Sequence, residues 1–258
     1  MVGKSSSYSE QGYWDERYRE SRNPFEWYMG YEELAPLLRE QIPLEAKVMQ
    51  VGTGTSMMQL HMARAGYTSL QGLDYSAGAV AAMMVAHDDL PGVSYRVADC
   101  RDLSDWTPDS FDAIIDKGTL DSALCGPDAA ENARRMLSEC WRVLTPGGLF
   151  LLITYGSPEF RLCHLMQPYL NWQVQIQTLS RKDPSREHSH LNFGRPVDPL
   201  NFKAVRQING EKDCHYVYIC RKAQFPHSAG KPIAAPQVDT AHHHQPFQQQ
   251  SQPDACAT

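Results

Sequence analysis

The sequence predicts an α/β fold, a doubly wound and mostly parallel sheet with helices on both faces. Short apolar runs alternate with helical patterns from Lys47 onward, which implies right-handed crossovers between parallel strands. The first run is apolar almost throughout, as a strand covered on both faces is, and it ends on glycines that open a helix. The second and third runs each end on an acid, at the sheet edge where open α/β folds bind ligands.

The elements follow in order. Residues 1–40 carry Tyr13, Trp14, Tyr18, Phe25, Trp27, Tyr28 and Tyr31, an aromatic N-terminal cap, and a helix YEELAPLLREQI comes at its end. KVMQV is the first strand, and MQLHMARAG a helix stopped by Gly66. SLQGLD is the second strand and AGAVAAMMVAH the next helix. VSYRVAD and FDAIID are the third and fourth strands. The helix AAENARRMLSECWRVL ends at Pro146-Gly147-Gly148, and GLFLLITYG is the fifth strand. A helix around FRLCHLMQPYL leads to the strand WQVQIQTL, and HYVYICR closes the series. The main domain is expected over 41–222, with a polar, proline-broken insertion at about 180–203. Residues 223–258, dominated by Pro, Gln, His and Ala, are expected to be a disordered low-complexity tail. His242 to His244 read as part of that tract, not as a metal site.

Composition narrows the function. A length of 258 residues suits one large domain plus a tail, at roughly 150 residues per domain. The net charge of -6 gives no electrostatic footprint for nucleic acid, and no basic block points to an anionic membrane. No apolar run approaches the ~20 residues of a membrane span. MVGKSSSYSE lacks the apolar core of a secretory leader. The seven cysteines show no CxxC or CxxH spacing, so neither a zinc site nor a disulfide framework is indicated. Reduced thiols fit a cytoplasmic setting, or a nuclear one.

Chemistry concentrates at Val51-Gly52-Thr53-Gly54-Thr55-Ser56, between the first strand and its helix. Glycines there allow close backbone approach to a ligand. The third glycine of a dinucleotide fingerprint would fall at Met57, whose bulk disfavours a pyrophosphate and with it NAD or FAD. Asp74, about 20 residues on, suits ribose hydroxyls. Asp99 suits an adenine amino group, although both acids also suit helix capping. A nucleoside pocket without a diphosphate points to S-adenosyl-L-methionine. Asp116, Lys117 and Gly118 would then border its methionine end.

With these residues in view, the chain resembles the seven-stranded (class I, Rossmann-like) methyltransferases that use this donor. More narrowly, it resembles the protein-lysine methyltransferases of the methyltransferase-like 13 group. YWDERY, PFEWY, VGTGTS, LDYSAGAVAAM, DKGTLD, SECWRVLTPGG and HYVYICRK carry the resemblance, over about residues 10–222. It implies donor contacts at Trp14, Tyr18, Trp27, Gly52, Gly54, Asp74, Tyr75, Asp99, Cys100 and Lys117. It also implies a protein substrate, translation elongation factor 1-alpha, with no metal and no covalent nucleophile. The family's GCGNS is Gly52-Thr53-Gly54-Thr55-Ser56 here, and loss of the asparagine amide at Thr55 predicts weaker donor affinity. Asp116 and Asp121 are candidate proton acceptors, Asp121 equally a cap, and Tyr155 suits the acceptor channel. A small-molecule methyltransferase and a non-catalytic donor-binding scaffold are the alternatives. A nicotinamide-dependent oxidoreductase is disfavoured by Met57.

Overall fold

Apolar runs of this kind have no face to offer water, so they assemble into a central sheet covered on both sides. A computed structural model of the chain describes residues 4–180, 194, 196–209 and 214–224. Its strands are β1 Lys47–Val51, β2 Ser69–Asp74, β3 Val93–Val97, β4 Phe111–Lys117, β5 Leu144–Thr154, β6 Trp172–Ser180 and β7 Cys214–Lys222. They form one seven-stranded sheet in the order β3-β2-β1-β4-β5-β7-β6. Pairing is parallel from β3 through β5. β7 runs antiparallel to both of its neighbours, β5 and β6.

The helices are α1 Gln11–Glu20, α2 Tyr31–Gln41, α3 Met58–Arg64, α4 Ala77–Ala86, α5 Thr119–Ala123, α6 Ala129–Val143, α7 Pro158–Leu165 and α8 Phe202–Ile208. In α6, Ala133, Met136, Leu137, Cys140 and Val143 fall three or four residues apart and make one apolar stripe. That stripe packs on Met49, Ile114, Phe150 and Leu152 at one face of the sheet. The alternate residues Val48, Ile115, Leu151 and Ile153 face the other way, onto Leu34, Leu37 and Leu38 of α2 and Met58 and Met62 of α3. α2 is therefore a core helix. α1 joins neither core, and its Trp14 and Tyr18 form a separate aromatic cluster against Ala79 of α4.

The sequence-based boundaries need three adjustments. Pro146-Gly147-Gly148 does not separate α6 from β5, because β5 begins at Leu144 and the ladder steps from Phe111↔Leu144 to Ala113↔Leu149 across an irregularity. β3 stops at Val97, so Asp99 lies in the loop beyond it. The helices α1, α5 and α8 and the isolated bridge between Ile176 and Val197 have no counterpart among the sequence-based elements. The exposed insertion and the disordered tail fall mostly on residues 181–193, 195 and 225–258, outside the described residues. Among the described residues no helix is long and apolar enough to cross a membrane.

Two glycines test this packing. A Cβ on Gly72 would lie 2.6 Å from two ring atoms of Tyr95 and 2.8 Å from Thr53 Cγ2. Gly72→Ala is expected to lower stability by about 1–3 kcal/mol through overpacking. At Gly78 the added methyl meets only ordinary contacts, 3.6 Å from Tyr18 Cβ. Gly78→Ala should therefore stay within about 1 kcal/mol of the parent. Thermal unfolding of both variants checks the pair, and the reverse ranking contradicts the packing described.

Candidate active site

The carboxyl ends of β1, β2 and β4 meet beneath the N-terminal segment around a cleft of about 840 Å³, open solvent at its mouth included. The floor is the turn after β1, where Gly52 and Gly54 have φ of +59° and +52°. Glycine is required twice over. A Cβ on Gly52 would fall 2.2 Å from Thr119 Oγ1, and one on Gly54 2.3 Å from the Tyr18 hydroxyl oxygen. Thr119 is held by its own hydrogen bond to the Val51 carbonyl, 2.9 Å.

Asp74 takes the capping role that its position suggested and also holds the glycine turn. Its Oδ2 accepts from the Gly54 N–H at 2.8 Å and its Oδ1 from the Ser76 N–H at 2.9 Å. The carboxylate thus ties the turn to the start of α4, while its remaining acceptor positions (a carboxylate has about four) stay available in the cleft wall. Burial pushes its pKa up to about 6, against the pull of the backbone donors. Tyr75, Asp99 and Cys100 line the same wall. Asp99 is paired with Arg101 at 2.7 Å, and burial pushes the Cys100 thiol up, keeping it neutral.

The wall also shows what it lacks. Gln50 Oε1 and Thr53 Oγ1 are buried there without a hydrogen-bond partner. Unpaired buried acceptors are costly in a folded protein and are expected where a ligand supplies the missing donors. Gln50 is absent from the sequence-based site. Its signal was a polar residue inside the otherwise apolar β1 run.

The roof comes from the N-terminal segment. Trp14, Tyr18 and Trp27 all line the cleft, with Trp14 stacked on Tyr18 at 6.0 Å and edge-on to Trp27 at 6.1 Å. Glu26, also missed in the sequence, fastens this roof down. Its carboxylate accepts from the Met57 N–H at 2.7 Å, from the Ser56 hydroxyl at 2.8 Å and from Lys117 Nζ at 2.8 Å. Lys117 lines the cleft, and its ammonium donates to Glu26 and to the Trp27 carbonyl at 2.9 Å. Burial lowers the Lys117 pKa and Glu26 opposes that shift. Thr55, which lacks the asparagine amide, still ties the turn to the roof: its hydroxyl donates to the Asn23 carbonyl at 2.9 Å and its carbonyl accepts from the Phe25 N–H at 3.2 Å.

The proton-acceptor candidates are placed differently. Asp116 is fully buried and accepts from the Thr119 and Leu120 N–H groups at 2.7 and 3.0 Å, capping α5. Burial, reinforced by Asp121, pushes its pKa up to about 8, so it holds a proton at neutral pH. The Asp121 carboxylate receives Tyr28 Oη at 2.6 Å, Thr154 Oγ1, and both Nε and Nη2 of Arg161. Neither acid lines the cleft, and both carboxylates are committed to hydrogen bonds within the fold. Tyr155 is half exposed beside them, its phenol pushed up by burial and by Asp121.

Two measurements follow from these pairings. Glu26→Ala leaves the Lys117 ammonium buried on a single carbonyl, and breaking a buried pair in this way should cost about 3 kcal/mol. Adding Lys117→Met should recover part of that loss in chemical denaturation; a stable Glu26→Ala protein contradicts the pairing. For Asp116, the unfolded chain releases a proton from its ordinary value of 3.8 upward, while the folded chain keeps it to about 8. The group therefore lowers stability progressively as pH rises through that window. Asp116→Asn should gain stability relative to the parent as pH rises from about 5 to about 8, and a pH-independent difference in melting temperature contradicts the assignment.

Comparison with known proteins accords with this geometry. A family model described as a methyltransferase domain matches residues 49–152. EEF1A lysine methyltransferase 4 of Mus musculus is 32% identical over 187 residues, covering 69% of this chain and 73% of that protein. The eEF1A lysine and N-terminal methyltransferase of Xenopus laevis is 31% identical over 218 residues, 81% of this chain but 31% of that longer one. A solved SAM-dependent methyltransferase from Thermotoga maritima, described as a possible histamine N-methyltransferase, superposes with a TM-score of 0.50 at 15% identity, covering 84% of this chain and 97% of the other. That likeness speaks for the fold alone. With its seven-stranded sheet, its glycine turn and these relatives, the chain belongs to the S-adenosyl-L-methionine-dependent methyltransferase family, in the branch that holds the two lysine enzymes.

Proposed function

We propose that the protein methylates a lysine side chain of a protein substrate, and that this substrate is translation elongation factor 1-alpha. The observation that carries the reading is the 32% identity over 187 residues to a relative named for that reaction. A cytoplasmic location is part of the proposal.

When bound, S-adenosyl-L-methionine supplies a methyl group on a cationic sulfur, open to direct displacement by an amine. The chain's own residues make that displacement possible in four ways. Gly52 and Gly54 let the backbone come close, and the free acceptor positions of Asp74, Gln50 and Thr53 suit the donor's hydroxyl and amino groups. The faces of Trp14, Tyr18 and Trp27 favour a cation by ~0.5–2 kcal/mol when water is excluded. Glu26 compensates the buried Lys117 ammonium, so the cleft does not confront a cationic ligand with a bare positive charge. A roof over the cleft would keep water from the donor and favour an in-line approach of the amine.

The acceptor must lose a proton. A free lysine, with pKa near 10.4, is neutral in roughly one molecule in a thousand at pH 7.4. Burial and a neighbouring cation both lower that value. With Asp116 protonated and Asp121 fully engaged, the proton leaves to water at the mouth of the site.

Incubation of the purified protein with methyl-labelled S-adenosyl-L-methionine and elongation factor 1-alpha, beside a whole proteome extract, tests the proposal. Label is expected on a lysine of the factor and is expected to vanish with Asp74→Ala. Label confined to a small metabolite, or donor binding with no transfer at all, would overturn it.

A further inference from the structure

The roof does not end at Trp27. Tyr28 follows with φ of +63°, a left-handed backbone that bulky residues adopt only under constraint. The constraint is visible. The Tyr28 hydroxyl donates to Asp121 Oδ2 at 2.6 Å. Asp121 is fixed in turn by Thr154 at the end of β5 and by a buried ion pair with Arg161 of α7. Three elements converge to hold one tyrosine.

Its ring is placed beside the cleft. A Cβ on Gly118 would meet Tyr28 Cε2 at 3.1 Å, so the absence of a side chain there lets the ring reach the cleft wall that Gly118 lines. The same ring stands 6.2 Å from that of Tyr155, a residue that is 50% exposed. None of Tyr28, Asp121, Thr154, Arg161 or Tyr155 lines the donor cleft itself. Strain held this firmly beside a site, yet not serving the donor, points to the other reactant.

We propose that Tyr28 and Tyr155 flank the entry of the acceptor amine, with Asp121 and Arg161 as positioning residues that keep Tyr28 rigid. The proposal rests on the lysine reading above. Its chemistry suits an alkylammonium that must become an amine. Aromatic rings attract the incoming cation without neutralising it. A free carboxylate at this place would stabilise the ammonium and oppose its deprotonation, and Arg161 cancels that charge on Asp121. A rigid ring also aligns the amine at less entropic cost than a mobile one.

The test uses Tyr28→Phe, Tyr155→Ala and Tyr155→Phe, with affinity for S-adenosylhomocysteine and kinetics on elongation factor 1-alpha measured for each. Tyr155→Ala is expected to raise the acceptor KM about tenfold, the worth of one ammonium–ring contact, while Tyr155→Phe keeps the ring and stays close to the parent. Tyr28→Phe, freed from Asp121, should lower kcat/KM for the acceptor with donor affinity unchanged. Unaltered acceptor kinetics in both Tyr28→Phe and Tyr155→Ala, or an equal loss of donor affinity, would overturn the inference while the parent enzyme remained active. A parent enzyme that transfers nothing to a lysine would remove the functional reading, and this inference with it.

Discussion

A single carboxylate sets the geometry of the donor cleft. Glu26 accepts from the Met57 N–H, the Ser56 hydroxyl and the Lys117 ammonium, and so joins the N-terminal segment to the glycine turn and to the end of β4. Each partner would be costly alone. The Met57 N–H stands at the start of α3, where a helix leaves its amides unpaired. The Lys117 side chain is only 3% exposed and needs a counter-charge. One acid satisfies both, and the aromatic rings of the roof are thereby held over the cavity.

The same short stretch of chain divides its contacts between the donor cleft and the α5 acid Asp121. Glu26 fastens the roof, Trp27 lines the cleft, and Tyr28 turns away to Asp121. Three acids that look alike in sequence are sorted by what surrounds them. Asp74 keeps acceptor positions in the cleft, Asp116 is buried with its proton on, and Asp121 is consumed by Tyr28, Thr154 and Arg161. A reaction that asks for positioning and a dry site, rather than for a strong base, fits that arrangement.

The sequence disclosed the parts of this molecule that depend on local pattern. β1 and β2 are the runs KVMQV and SLQGLD, and Gly52, Gly54, Asp74 and Asp99 fall at the sheet edge because strand ends can be read from where apolar runs stop. An apolar run carries no direction, so the reversal of β7 was not legible. The step in the β4–β5 ladder was hidden too, since Pro146-Gly147-Gly148 resembles a terminator more than an irregularity inside a strand. The long-range pairings were the least visible. Glu26 meets Met57 and Lys117 across 31 and 91 residues, and Arg161 meets Asp121 across 40, separations at which residue type alone signals nothing. Thr55 shows the same limit: its loss of an amide was readable, but its new bond to Asn23 was not.

Amide hydrogen exchange of Phe25 and Met57 probes the bridge most directly, because one amide donates from the roof to the turn and the other from the turn to the roof. Both should exchange slowly in the free protein and become slower together when S-adenosylhomocysteine is added. Rapid exchange at either amide, or protection of one without the other on ligand addition, would contradict a roof fastened to the glycine turn through Glu26.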